Sequence, residues 1–96
     1  MDRVVIKCKD LAQVREEIDK IDLQLIELLA IRSNYVIQAG GFKKNPEQVK
    51  AKGRVEEVIS RIRKEALAKG LNQDLAEALW REMIKQFTNL EMKHLG

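Results

Sequence analysis

The sequence has few of the residues from which most catalytic and metal sites are built. Of its 96 residues one is cysteine, Cys8, and one is histidine, His94, so an intrachain disulfide and a cysteine-based metal site are excluded. The chain also has no Ser/His/Asp set and no glycine-rich phosphate loop. Aromatic residues make up only 4%, which argues against a surface that stacks on nucleic-acid bases. No apolar run is long enough to span a membrane.

Proline occurs once and glycine five times, which predicts few turns and long elements. We expect one small all-α domain over residues 1–96, with helices at about 10–40, 52–69 and 72–95. The net charge of +3 suits a small anionic ligand better than a nucleic acid. The N-terminus lacks the apolar core of a secretion signal, so a cytoplasmic location is the expectation.

The first helix is the element around which the rest is organised. Its apolar residues recur in steps of three and four, which is the pattern of a helix that packs along its whole length. They are Leu11, Val14, Ile18, Ile21, Leu25 and Leu28, and we call them the seam. Asp10 is a candidate N-cap with Gln13 three residues on, and Gly40-Gly41 is expected to stop the helix.

The segment 41–52 is expected to be a connection with one helical turn, capped by Asn45 before Pro46. Gly70 should end the second helix, and Asn72 should cap the third. The run 61–64 is interpreted as a solvated face, and Val4, Val5 and Ile6 are expected to pack on the helices. The expected apolar faces are Val55, Val58, Ile59, Ile62 and Ala66 on the second helix, and Leu75, Leu79, Met83, Ile84, Phe87 and Leu90 on the third.

A helix of residues 10–40 is about 45 Å long. Two shorter helices of the same chain leave much of its seam uncovered, and an exposed apolar stripe of that length predicts association. We therefore expect a homodimer in which the long helices of two chains pack together.

The residues that suggest chemistry are cations near apolar faces, with one carboxylate. Arg32 occupies a seam position, where it needs an anion: either a protein carboxylate such as Glu27 or Glu91, or a ligand carboxylate. Arg15 lies beside the seam about 26 Å away along the same helix, so the two arginines cannot hold one small ligand from one chain. In an antiparallel pair of helices, Arg15 of one chain can meet Arg32 of the other. Lys43 and Arg54, further along the sequence, are the other two cations of this set.

These residues carry a resemblance to a known family. The stretch Val14-Arg15-Glu16-Glu17-Ile18-Asp19-Lys20-Ile21-Asp22-Leu23, then Leu28-Leu29-Ala30-Ile31-Arg32 and Phe42-Lys43, resembles the all-helical (type II) chorismate mutases. Within that family it is most similar to the branch that includes isochorismate pyruvate-lyases. The similarity covers about residues 10–95.

The resemblance implies an intertwined homodimer of three-helix chains with two shared pockets, which bind chorismate or isochorismate without cofactor or metal. Arg15 from the partner chain would hold one carboxylate, and Arg32 would hold the other. Lys43 would donate to the ether oxygen as the C–O bond breaks. Arg54 would lie near the ring substituents, and Glu91 stands where the family usually has Gln, the second donor to that oxygen.

Three departures from the family pattern leave the activity open. Glu91 can donate to an ether oxygen only when it is protonated; otherwise Lys43 acts alone. Val55 stands where many mutases have a Glu and Ala51 where some have an acidic residue, and both losses resemble the lyase branch. Chorismate mutase and isochorismate pyruvate-lyase are therefore both candidate activities. A non-catalytic helical dimer with a regulatory or interaction role is the third alternative. The near balance of 18 basic and 15 acidic residues argues against a nucleic-acid binder.

Overall fold

A computed structural model describes residues 5–96, and they form an all-α chain. Its helices are α1 (Leu11–Phe42), α2 (Pro46–Lys50), α3 (Lys52–Lys69) and α4 (Gln73–Met92). Three of them are the predicted long helices, and α2 is the predicted single turn after Asn45. No helix among these residues is both long and apolar enough to cross a membrane.

The chain divides into two units, Met1–Arg32 and Ser33–Gly96. The described part of the first consists of an N-terminal arm and the greater part of α1. Asp10 Oδ1 accepts a hydrogen bond from the Gln13 N–H at 2.8 Å, and Gln13 Oε1 accepts one from the Lys9 N–H at 2.8 Å. These bonds confirm the predicted start of the long helix, because they satisfy N–H groups that have no partner within it.

The seam of α1 is exposed in the single chain. Exposure runs from 38% at Val14 to 60% at Leu11 and Leu28. Val4 lies outside the described residues, and Val5 is 93% exposed, so the predicted packing of that side chain is wrong for the single chain. Residues of the N-terminal arm and of α1 nevertheless line the same groove, and Ile6 is one of those that the arm contributes. The uncovered apolar stripe that the sequence predicts is therefore present.

The second unit is held together by α3 and α4, with α2 packed on α4. Its buried apolar residues are Val49, Ile59, Ala66 and Ala76. Ala76 has no exposed surface at all, since a methyl side chain lets the neighbouring helix approach closely. Leu75 and Leu79, expected on the apolar face of α4, stay about half exposed.

The turn between α3 and α4 follows the predicted chemistry. Gly70 adopts a left-handed conformation with φ of 76°, and the Leu71 N–H donates back to Ala66 O at 2.8 Å. This pattern closes a helix end by satisfying its last carbonyls. Asn72 then caps α4, because its Oδ1 accepts from the Leu75 N–H at 2.9 Å.

An ion-pair network spans the outer side of the α3–α4 hairpin. The guanidinium of Arg63 donates to Asp74 Oδ1 at 3.1 Å and to Glu77 Oε1 at 2.9 Å. Arg81 donates to Glu77 Oε2 at 2.7 Å and, through both terminal nitrogens, to the Glu56 carboxylate at 2.9 Å. In the run 61–64, interpreted as a solvated face, Arg61 and Lys64 are exposed, and Arg63 is partly exposed and ion-paired.

Two predicted helix ends need correction. α1 continues through Gly40 and Gly41 and ends at Phe42, and among the described glycines only Gly70 has a positive φ. A left-handed stop is not needed, because Gly40 O accepts from the N–H groups of Lys43 and Gly96, each at 3.1 Å. α4 ends at Met92 rather than at residue 95. The N–H groups of Lys93 and His94 donate to Leu90 O and Glu91 O, three residues back, and close the last turn of the helix.

The network predicts a pH-dependent contribution to stability. Hydrogen bonds from Arg81 hold the pKa values of Glu56 and Glu77 below their usual range. A carboxylate whose pKa is lower in the folded state stabilises the fold above its unfolded pKa, and this stabilisation is lost as the pH falls through the folded pKa. Arg81→Met should lower the thermal midpoint by a few degrees at neutral pH, and the difference from wild type should vanish in strong acid.

Thermal melts followed by circular dichroism at a series of pH values measure this effect. Arg61→Met is the control, because Arg61 is exposed on α3 and forms no ion pair with the described residues. Equal pH dependence in the two variants would show that the network contributes nothing specific.

Candidate active site

An ion pair between a partly exposed lysine and a buried carboxylate links the end of α1 to the end of α4. Glu91, in the last turn of α4, is a buried charged side chain with 8% exposure. Lys43 lies one residue past α1, and its Nζ is 2.5 Å from Glu91 Oε2, an oxygen that is shielded from solvent. Because a buried carboxylate without a cation is strongly destabilising, the burial of Glu91 depends on Lys43.

The position of Glu91 follows from the periodicity of α4. Glu91 lies four residues after Phe87, so the two side chains share one helix face, and that face turns away from solvent. Its backbone is held as well, since Glu91 O accepts from the His94 N–H at 2.9 Å. The carboxylate therefore extends from a fixed point of the last helical turn.

Local hydrogen bonds also fix the segment that carries Lys43. The Lys43 N–H donates to Gly40 O at 3.1 Å, which ties the residue to the last turn of α1. On its other side, Gln48 Oε1 accepts from the Lys44 N–H at 2.6 Å, and Asn45 Oδ1 accepts from the Gln48 N–H at 3.0 Å. Since α2 packs on α4, the lysine is held between two anchored helix ends.

Gly40 brings the last turn of α1 unusually close to α4. A Cβ atom at this position would lie 2.9 Å from Glu91 O and 3.1 Å from both Glu91 Cγ and His94 O. The sequence predicts a helix stop at Gly40-Gly41, so the close approach at Gly40 is not among the sequence-based predictions. Two adjacent glycines inside a helical pattern, with Lys43 two residues after the second, are the signal that was present.

Arg54 lies in the same unit and pairs with a different carboxylate. Its Nη1 is 2.8 Å from Oε1 of Glu57, three residues on, and both side chains are more than half exposed. Exposed pairs at this spacing contribute little to stability, so Arg54 can leave Glu57 for a ligand at small free-energy cost. Its predicted contact with a substrate stays a prediction.

Arg15 and Arg32 belong to the other unit, Met1–Arg32. Arg32 is half-buried on α1, its Nη1 is shielded from solvent, and burial lowers the pKa of the guanidinium. It remains a cation at neutral pH, because arginine is not deprotonated in proteins under such conditions. Arg15 is exposed near the start of α1. For both residues, the role at a binding site stays a prediction.

The chemistry that the described pair offers is electrostatic. A lysine ammonium held at a fixed place beside a buried carboxylate can donate a hydrogen bond to an oxygen that gains negative charge. Over residues 5–96, no group of three or more His, Cys, Asp and Glu side chains is placed to hold a metal ion.

Two comparisons with known proteins identify the family of the chain. Residues 14–92 match the family described as chorismate mutase type II. The isochorismate pyruvate lyase of Pseudomonas aeruginosa is 31% identical over 87 residues, which cover 91% of this chain and 86% of that protein. The chain therefore belongs to the chorismate mutase type II family. The resemblance seen in the sequence is confirmed, and an enzyme is supported over a non-catalytic helical dimer.

The Lys43–Glu91 pair predicts a stability change that does not depend on any substrate. Lys43→Met leaves the buried Glu91 carboxylate without its cation, and we expect the free energy of unfolding to fall by about 1–3 kcal/mol. Lys43→Met combined with Glu91→Met should recover most of that loss, because both charges are then gone. Urea denaturation measures the differences.

Lys44→Met is the matched control, since Lys44 is the exposed neighbour of Lys43. An equal loss of stability in Lys43→Met and Lys44→Met would contradict the assignment of Lys43 as the partner on which Glu91 depends.

Proposed function

We propose that the chain rearranges chorismate to prephenate without a cofactor, in a cationic pocket shared between two chains of a homodimer. The observation that carries the proposal is the contact of Lys43 with the buried Glu91 carboxylate. Family resemblance assigns these two residues, far apart in sequence, to the same ether oxygen, and in the folded chain their charged groups are 2.5 Å apart. Membership of the chorismate mutase type II family supports the same reaction class.

The reaction needs no nucleophile, base or metal, which fits a chain so poor in catalytic groups. In a pericyclic rearrangement one C–O bond breaks while one C–C bond forms within the same molecule. The protein contributes by holding the flexible enolpyruvyl chain over the ring and by stabilising the negative charge that grows on the ether oxygen. Cations at both carboxylates and at the ether oxygen serve these two purposes.

In the proposed pocket, Arg15 of one chain and Arg32 of the other bind the two substrate carboxylates through their planar guanidinium groups. Lys43 donates to the ether oxygen. An ionised Glu91 orients the ammonium group but offsets part of its charge, whereas a protonated Glu91 is itself a second donor to that oxygen. Arg54 binds near the ring substituents after leaving Glu57.

The exposed seam of α1 supports the dimer. Six aliphatic side chains along one helix, each more than a third exposed, form a stripe longer than soluble monomers normally leave uncovered. Since Arg15 and Arg32 are about 26 Å apart along α1, a shared pocket also requires two chains. An antiparallel pairing of the long helices covers the stripe and brings together one arginine from each chain.

A second candidate activity is the conversion of isochorismate to salicylate and pyruvate. The 31% identity to the isochorismate pyruvate lyase of Pseudomonas aeruginosa favours it, as do Val55 and Ala51 at positions that are acidic in many mutases. Here a ring hydrogen moves to the enolpyruvyl methylene carbon as the same C–O bond breaks. The same cations serve both reactions, so one site can support two outcomes.

Incubation with each substrate separates the two candidates. Purified protein is incubated separately with chorismate and with isochorismate, and the products are identified as prephenate or as salicylate plus pyruvate. Prephenate formation supports the first proposal, whereas salicylate and pyruvate from isochorismate alone would replace it by the second. Turnover of neither substrate would refute both.

Subunit mixing tests the shared pocket. Arg15→Ala and Arg32→Ala should each lower kcat/KM by at least about a hundredfold, because a charge-assisted contact that orients the substrate is lost. After subunit exchange between the two variants, a heterodimer contains one pocket with both arginines, so part of the activity should return. The absence of recovery after verified exchange would rule out a pocket built from two chains.

A further inference from the structure

We propose that Gly40 is a positioning residue for the Lys43–Glu91 pair. Without a side chain at this position, the last turn of α1 approaches the last turn of α4 closely enough to set the geometry of the two charged groups. The inference rests on the proposed function only in assigning the pair to catalysis; the steric relation itself does not depend on it.

The close approach involves the residue that carries the carboxylate. A Cβ at Gly40 would be 2.9 Å from the backbone oxygen of Glu91, closer than carbon atoms normally come to a backbone oxygen. It would also be 3.1 Å from Glu91 Cγ, the atom that determines where the carboxylate points. A methyl group at this position therefore acts directly on the buried partner of Lys43.

Neither side of this contact can move away easily. On α4, Glu91 O already accepts from the His94 N–H at 2.9 Å. On α1, Gly40 O accepts from the N–H groups of Lys43 and Gly96, and the Gly96 N–H also donates to Lys43 O at 3.1 Å. The atoms that must shift are hydrogen-bonded backbone rather than the end of a flexible side chain.

An added methyl group therefore disturbs the ion pair by one of two routes. If α4 stays in place, the contact with Cγ turns the Glu91 side chain and moves its carboxylate away from Lys43. If α1 yields, its last turn withdraws and takes Lys43 with it. In both cases the 2.5 Å contact between Nζ and Oε2 lengthens.

Gly41 provides a matched control in the adjacent position. A Cβ at Gly41 would meet nothing within 4 Å, and both glycines lie within α1 without a positive φ. Gly40→Ala and Gly41→Ala therefore gain similar helix propensity and differ in what the new methyl group touches. A difference between the two variants isolates the steric contact with Glu91.

The first measurement needs no substrate. Lys43→Met, Glu91→Gln and the double variant are made in wild-type, Gly40→Ala and Gly41→Ala backgrounds, and their unfolding equilibrium constants give the coupling between Lys43 and Glu91. We expect a coupling of about fivefold or more in wild type and Gly41→Ala, and less than about twofold in Gly40→Ala. Equal coupling in the three backgrounds would overturn the proposal.

The second measurement is the steady-state kinetics of the dimer with chorismate and isochorismate. Gly40→Ala should lower kcat by roughly tenfold or more with KM changed less than about threefold, because the donor at the ether oxygen is misplaced while the carboxylates are still bound. Gly41→Ala should stay within about twofold of wild type. Equal kcat values for the two variants would overturn the catalytic part of the inference.

The two measurements separate the inference from the proposed function. If wild type turns over neither substrate, the proposed function fails, and the coupling measurement still decides whether Gly40 positions the pair. If Gly40→Ala is largely unfolded, the same cycle is repeated with Gly53→Ala added to every variant. A Cβ at Gly53 meets nothing within 4 Å, and alanine there favours α3. Unchanged coupling in that background would equally overturn the proposal.

Discussion

The burial of one carboxylate against one ammonium group is the constraint on which the second unit depends. Glu91 can stay inside only because Lys43 lies beside it, and Lys43 is there only because α1 ends close to α4. The close approach of the two helix ends in turn requires that position 40 carry no side chain, and Gly40 meets this requirement. One short contact between two helix ends therefore depends on a glycine in the sequence, on the backbone geometry that it permits and on the attraction between two charges.

The remaining elements of this unit hold that contact in place. α2 returns the chain to α4 directly after the lysine, and its cap residue Asn45 fixes the turn. The α3–α4 hairpin is closed by Gly70 and Asn72 at its turn and by the Arg63–Glu77–Arg81 network along its side. Its ion pairs lie near water and contribute little each, whereas the Glu91 carboxylate is shielded from solvent, so removal of its partner Lys43 has a larger effect.

A chain with so few catalytic groups can belong to an enzyme family because of the reaction class. A rearrangement within one molecule needs the substrate folded and charge placed near one oxygen, and arginine and lysine side chains are sufficient for both. The long exposed seam of α1 and the separation of Arg15 from Arg32 are the reasons for proposing a pocket built from two chains. The same apolar stripe that favours association would also bring the two arginines into one proposed pocket.

The helices could be predicted in some detail from local signals. Periodic apolar residues, the Asp10, Asn45 and Asn72 caps and the left-handed Gly70 act over a few residues, so the bounds of α3 were predicted to the residue and the single turn of α2 was foreseen. The exposed stripe of α1 was also predicted, because its length exceeds what two shorter helices can cover. The end of α1 was not predicted, since Gly40 O there accepts a hydrogen bond from the N–H of Gly96, far along the chain.

The sequence by itself determined the helical architecture, the family and the candidate residues Arg15, Arg32, Lys43, Arg54 and Glu91, because these depend on local periodicity and on a recognisable pattern. The tertiary structure alone decided that Lys43 and Glu91 are in contact, that Arg54 pairs with Glu57, and that Gly40 is a close-approach residue rather than a helix stop. The physical reason is distance along the chain. A cap or a periodic face is specified by neighbours, whereas the partner of a buried charge is specified by where distant helix ends meet.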